Sequence, residues 1–404
     1  MRTVSLKTSG TLAFTTGYRS LHEDRQKRYM KYQRAIIRTL TILIGFGATI
    51  SPVAAHSGTT HAGTPHWFLF VLLIGGICTV VGASVALRRE LLSLAKTGAL
   101  LTVGAVTIVF GGIGLVELQV VGQTPPQLVE IYPILSLIVS TILATGGLLV
   151  ARMKHSTKPQ YAFLCLILAA WIGYPAFMPN QGTTNPLGYL IVLSLPTLLA
   201  YIIWTDARGV LQSLRLETKP KIAGIGAGFL MSIFFAFSAG TMSFSPDEGV
   251  NVPSEAFIIP YDVSSPLVIW PAIEWYFPSI PFTGYLSVGT VLFMAILGGL
   301  SGLNVAVVTQ QWINAESVAG GELFSGSLIA SGATACCCCA PAFYGVLSVL
   351  FGAAATPVYW SFMIPSSPVS GIFFAGSVLL LLGSLLKSTG GTDTRVAPSV
   401  SRLS

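Results

Sequence analysis

The sequence predicts an all-α fold, a polytopic transmembrane helical bundle of about ten spans, and three observations predict it. Of 404 residues, 52% are hydrophobic and only 9% charged, with a mean hydropathy of +0.74, whereas about a quarter of an ordinary soluble domain is charged. The apolar residues are gathered into segments close to the roughly 20 residues that cross about 30 Å of hydrocarbon. The basic residues fall on one side of the resulting zigzag, as cytoplasmic loops require.

A helix pairs its own backbone polar groups inside lipid, so each long apolar segment reads as a helical span. The segments are 36–55, 67–87, 98–116, 132–151, 161–178, 187–204, 222–244, 283–309, 323–355 and 370–386. The chain then divides into a basic cytoplasmic tail (1–35), a signal peptide or signal-anchor span (36–55) and an external histidine-containing segment (56–66). Six spans (67–244), an external acidic and aromatic loop (245–282), three spans with a Cys/Pro motif (283–386) and a cytoplasmic tail (387–404) follow. No polar stretch is long enough for a separate soluble domain, so function is sought in the spans and short loops.

Nine basic residues lie between Arg2 and Arg38. The others form four groups: Arg88, Arg89 and Lys96; Arg152, Lys154 and Lys158; Arg208, Arg215, Lys219 and Lys221; and Lys387, Arg395 and Arg402. All 22 share one side of a ten-span zigzag, while the opposite loops hold Glu117, Glu130, Asp247, Glu248, Glu255, Asp262 and Glu274 with no Lys or Arg. Both termini are therefore expected in the cytoplasm and the protein in the cell membrane. The net charge of +7 is divided among loop ends where topology places it, which argues against nucleic-acid binding and for the lipid bilayer as partner.

The first span also fits a secretory signal. After Met30, an alternative start, come Lys31, Arg34 and Arg38, an apolar core over 40–50, and Val53-Ala54-Ala55 ahead of His56. Cleavage there leaves nine spans and exposes His56 as the N-terminus; a signal anchor has the same pattern. The segment that follows carries His56, His61 and His66, three of five histidines in the chain. Imidazole is a common copper and zinc ligand, and an N-terminal His offers amine and ring nitrogen together, so the three are candidate metal ligands. A Gly/Ser/Thr-rich tether that merely includes polar residues is the other reading.

The ninth span contains Cys336, Cys337, Cys338 and Cys339, four of the six cysteines, followed by Pro341. Single cysteines in apolar helices, such as Cys78 and Cys165, ordinarily pack as small hydrophobes. Successive side chains on a helix diverge by about 100°, so Cys336 and Cys339 share a face as an embedded C-x-x-C pair. Thiolates at that spacing suit copper or another thiophilic metal ion, or cycle between dithiol and disulfide. Pro341 and the length of 323–355 fit either a broken, re-entrant helix lining a cavity or one long tilted helix with a kink.

Thr334-Ala335-Cys336-Cys337, Pro341 and the run Val346-Leu347-Ser348-Val349-Leu350-Phe351-Gly352 resemble the first membrane helix of bacterial mercuric-ion transport proteins. That resemblance covers about twenty of 404 residues and implies a cysteine pair that accepts a soft ion for passage inward; here the pair is doubled. The stretch Gly302-Leu303-Asn304, a polar loop and a Cys/Pro-bearing span resembles uncharacterised multi-pass membrane proteins of prokaryotes, which implies no activity.

Other classes lack their residues. There is no G-x-x-x-x-G-K-[ST] loop, no H-E-x-x-H and no Ser-His-Asp arrangement, and apart from Arg38 the spans contain no Asp, Glu, Lys or Arg. Unaided ATP-driven transport, hydrolysis and carboxylate-coupled transport are all disfavoured. The loop 245–282, with Trp270, Trp275, Tyr276 and Phe277, reads as an aromatic belt on the membrane surface, with a lid over an outward cavity as the alternative. The sequence thus points to a soft-metal permease or receptor in which His56, His61 and His66 capture an ion and Cys336 to Cys339 accept it, served by an external metal-carrying protein. A thiol-disulfide component served by an electron-carrying partner and a structural or assembly subunit are the alternatives. Oligomeric state is not encoded legibly.

Overall fold

A computed structural model of the chain describes residues 60–61, 64–89, 91–117, 127–154, 157–178, 184–244, 255–280, 282–315 and 340–393. All of them belong to one compact unit, residues 56–404. A minimal hairpin, β1 (Thr60–His61) and β2 (Thr64–Pro65), leads into α1 (His66–Arg88), and α2 (Leu94–Glu117) returns beside it. Next come α3 (Tyr132–Lys154), α4 (Gln160–Phe177), α5 (Pro186–Asp206), the short α6 (Arg208–Leu216) and α7 (Thr218–Ser238). Four strands follow, β3 (Met242–Ser243), β4 (Phe257–Val263), β5 (Trp270–Phe277) and β6 (Phe282–Ser287), then α8 (Val288–Ala315). The chain closes with α9 (Ala340–Phe351), α10 (Thr356–Met363) and α11 (Pro368–Asp393).

Among the described residues, eight helices are long and apolar enough to cross a membrane: α1 to α5, α7, α8 and α11. Each coincides with a segment read from the sequence, because apolar length is a local property of the chain. The predicted first span lies outside the described residues. Of the predicted ninth span only the part from Ala340 onward is described, as α9 and a short 3-10 turn, Gly352–Ala355.

Consecutive helices pack as antiparallel pairs, and glycine sets how closely. A Cβ on Gly228 of α7 would stand 2.8 Å from the Gly298 carbonyl of α8, and one on Gly302 would stand 2.6 Å from the Gly224 carbonyl. The two backbones therefore touch, the small-residue contact that drives association where lipid supplies no hydrophobic force. Gly76 against the Gly104 carbonyl and Gly111 against the Leu73 amide nitrogen do the same for α1 and α2. Exposed hydroxyls are paired as a low-dielectric surround demands: Thr79, Thr102, Thr107 and Thr141 each donate to the carbonyl four residues back. At the head of α5, Asn185 accepts from the Leu187 amide and Pro186 occupies the first turn, a start that needs no further partner.

The stretch read as an aromatic surface loop is instead built largely of sheet, in the order β3-β6-β5-β4, all antiparallel. The all-α expectation is corrected to that extent. Along β5 the side chains alternate, with Trp270, Ala272 and Tyr276 buried and Pro271, Ile273 and Phe277 exposed, so two of the four supposed belt rings are core. Glu117 at the end of α2 ties the sheet down by accepting from the Ser243 hydroxyl at 2.7 Å and the Phe244 amide at 3.2 Å. The described Lys and Arg residues all stand on segments at the opposite end of the bundle.

Candidate functional site

At the sheet end, α4, α7, α8 and α11 splay around a cavity of about 310 Å³. Trp171, Ile172 and Pro175 come from the last turns of α4, Phe235 and Ser238 from the end of α7, and Thr290, Phe293 and Leu297 from the first turns of α8. Ser370, Gly371, Phe373 and Phe374 open α11, while Phe362, Met363, Pro365 and Ser367 supply the rim from α10 and its connection. Ser265, Pro266 and Leu267 of the loop between β4 and β5, with Tyr285 of β6, close it from the sheet side.

The apolar wall is one aromatic cluster. Phe293 lies 4.4 Å from Phe374 and 5.3 Å from Trp171 between ring centroids, Trp171 lies 4.8 Å from Phe374, and Phe235 stacks on Phe293 at 5.5 Å. These separations lie within the range in which aromatic pairs add stabilisation beyond burial. Hydroxyls form the polar part, and their protons are already spent on the backbone: Ser238 donates to Phe235, Thr241 to Ala236 and Thr290 to Ser287. Each oxygen keeps acceptor capacity toward the cavity. Among the described residues, none that line it is Asp, Glu, Lys, Arg or His. Tyr285 is the one phenol among the described lining residues, and burial first, then the neighbouring Tyr261, pushes its pKa up, so it is a neutral hydroxyl across the physiological range.

The loop between β4 and β5 plugs into the bundle beside this cavity. Leu267 adopts φ +60, unusual for a branched side chain, and its surroundings fix it there. The Pro266 carbonyl accepts from the Val268 amide at 2.7 Å and from Trp270 Nε1 at 2.9 Å. The Tyr189 hydroxyl of α5 donates to the Ile269 carbonyl, with its ring edge-on to Trp270 at 4.9 Å. Strain held by so many partners is a feature of ligand sites and clamps.

The residues picked out by metal chemistry are placed less fully. His56, Cys336, Cys337, Cys338 and Cys339 lie outside the described residues. His61 pairs with Thr64 in the β1–β2 hairpin and His66 opens α1, which sets their backbones at the sheet end. Among the described residues, no group of three or more His, Cys, Asp and Glu could hold a metal ion. Cys78 is exposed on α1 and Cys165 is half-buried, packed at Gly147 of α3. None of the lining residues was singled out from sequence, where a cavity entered only through the alternative reading of 245–282 as a lid; the available signal was the strand alternation of β5. No known family, curated protein or solved structure matches the chain.

Proposed function

We propose that this chain is a multi-pass protein of the cell membrane, with both tails cytoplasmic, whose sheet-covered outward pocket binds an uncharged ligand with a large apolar part, as a permease or receptor does. One observation carries the reading: a cavity of about 310 Å³ whose described lining combines a cluster of four aromatic rings with hydroxyls and no charge. That size stands at the lower end of ordinary small-molecule sites. An ion or zwitterion entering it would lose hydration with no opposite charge to replace it, whereas a neutral molecule stacks on the rings and donates to the serine and threonine oxygens.

The test is equilibrium binding of the uncharged fluorophore phenylnaphthylamine to nanodisc-embedded protein, measured above empty nanodiscs. Saturable binding that is lost in Ser370→Phe, retained in Ser370→Ala and weak for anionic anilinonaphthalene sulfonate supports the proposal. Uptake indistinguishable from empty nanodiscs sinks it.

The soft-metal permease or receptor is a second reading, favoured by four consecutive cysteines that lead directly into α9. That helix is docked in the bundle, with Tyr344 fully buried and Gly345 set so close that a Cβ there would be 2.7 Å from the Leu115 carbonyl. Elemental mass spectrometry of reduced wild type beside a variant with Cys336, Cys337, Cys338 and Cys339 all changed to Ser tests it. Stoichiometric copper, zinc or mercury lost in the variant supports a thiol site; no uptake removes it and leaves thiol-disulfide exchange or packing.

A further inference from the structure

The sheet has a second face that the pocket does not use. Register places Ile273 of β5 opposite Leu286 of β6 and Pro260 of β4, and Ile258 lies two residues before Pro260 on that same face. Ile258 is 66% exposed, Ile273 56% and Leu286 39%. The other face turns Trp270, Ala272 and Tyr276 into the protein. One end of the Ile273 face is covered, since Phe282 packs against Phe237, Phe244 and Trp275; the apolar patch of Ile258, Ile273 and Leu286 that is left bare needs an occupant, and three are conceivable: lipid, a second copy of the chain, or a soluble partner.

Continuity decides among them. Leu286 runs directly into α8, whose first exposed residues are Val288 and Val291, so the apolar surface of a spanning helix passes without a polar break onto the sheet. The turn between β5 and β6 adds exposed Ile280. Among the described residues, the only charge on this face is Asp262, opposite Pro271 at the far end of β4. Strand-to-strand pairing with a second copy is opposed by the outermost of the described strands, since β4 carries Pro260, which has no amide hydrogen, and Asp262 two residues on.

We infer that the Ile258, Ile273 and Leu286 face of the sheet rests against the bilayer, at the boundary between headgroups and acyl chains, continuing the lipid-facing wall of α8. The sheet is then held between membrane on one face and bundle on the other. The inference stands apart from the pocket's ligand and from the thiol reading.

The test places the photoreactive residue benzoylphenylalanine at Ile273 of the full chain in phosphatidylcholine–phosphatidylglycerol vesicles, followed by irradiation and intact-mass measurement. Phe229, 68% exposed on α7, is the lipid-facing control, and exposed Glu255 ahead of β4 is the aqueous control. A phospholipid mass shift at 273 as at 229, and none at 255, is the expected result. A crosslink to a second copy or to another protein at 273, or no lipid adduct there while 229 labels, overturns the inference. Ile258 replaced in the same way repeats the test should the first variant fail to fold.

Discussion

Asn304 of α8 donates through Nδ2 to the Leu381 carbonyl of α11 at 3.0 Å, while also bonding the Leu300 carbonyl of its own helix at 2.8 Å. The amide is buried midway along α8, so its two donors make a polar tie between these two spans in apolar surroundings. Interhelical hydrogen bonds of this kind contribute about 0.6 to 1.7 kcal/mol in membrane proteins. Asn304→Ala is therefore expected to destabilise the bundle by about 1 kcal/mol, read as reduced resistance to denaturant in mixed micelles. An unchanged transition would show that the bond adds nothing over detergent-state alternatives.

Neighbouring glycines on α8 should behave oppositely. A Cβ on Gly298 would meet Ser232 Oγ at 2.4 Å and the Gly228 carbonyl at 2.8 Å, but one on Gly299 meets nothing within 4 Å. Gly298→Ala must push two backbones apart and should cost about 1–3 kcal/mol. Gly299→Ala removes a helix penalty and should be neutral or stabilising by about 0.4–1 kcal/mol. Parallel denaturation of the two variants checks the seam; equal behaviour would contradict it.

At the basic end Asp206 gathers three donors from the start of α4: Lys158 Nζ at 2.7 Å, Gln160 Nε2 at 3.3 Å and the Tyr161 hydroxyl. Lys158 is 45% exposed, so its ion pair contributes only about 0–1 kcal/mol and is screened by salt. The bonds from Tyr161 and Gln160 carry the remainder. Asp206→Ala should cost about 1–3 kcal/mol, more than Lys158→Met, and raising salt should narrow the difference between wild type and Lys158→Met alone. A larger loss for Lys158→Met than for Asp206→Ala would overturn this ordering.

The spans were legible because apolar length is written locally: residues 67–87 were bounded from sequence as the structure bounds them. The sheet was not, because Pro260, Pro266 and Pro271 with several acids read as loop punctuation, although Trp270, Ala272 and Tyr276 alternate inward along β5. The walls of the pocket could not be read, although a lid over an outward cavity was one of the two readings of 245–282. Trp171, Phe293 and Phe374 come from three separate spans, and in sequence their apolar side chains look the same as exposed Phe163 or Phe229. Only tertiary packing distinguishes a ring lining a cavity from one facing acyl chains. The cysteine and histidine sets are conspicuous for the opposite reason, since rarity of type is visible without any fold.

Tyr285 provides a pH test of the lid. Burial raises its pKa, with Tyr261 adding to the shift, so the folded protein holds a proton that the unfolded chain releases near the ordinary value of about 10. The sign follows from linkage: the contribution of this group to stability is complete below that ordinary value and is lost as pH rises through it toward the folded pKa. A spectrophotometric titration of wild type minus Tyr285→Phe should show a phenolate that forms only above the ordinary tyrosine range, together with a steeper alkaline loss of stability in wild type. A midpoint at or below that range would mean that Tyr285 faces water, and the sheet would not cover the cavity.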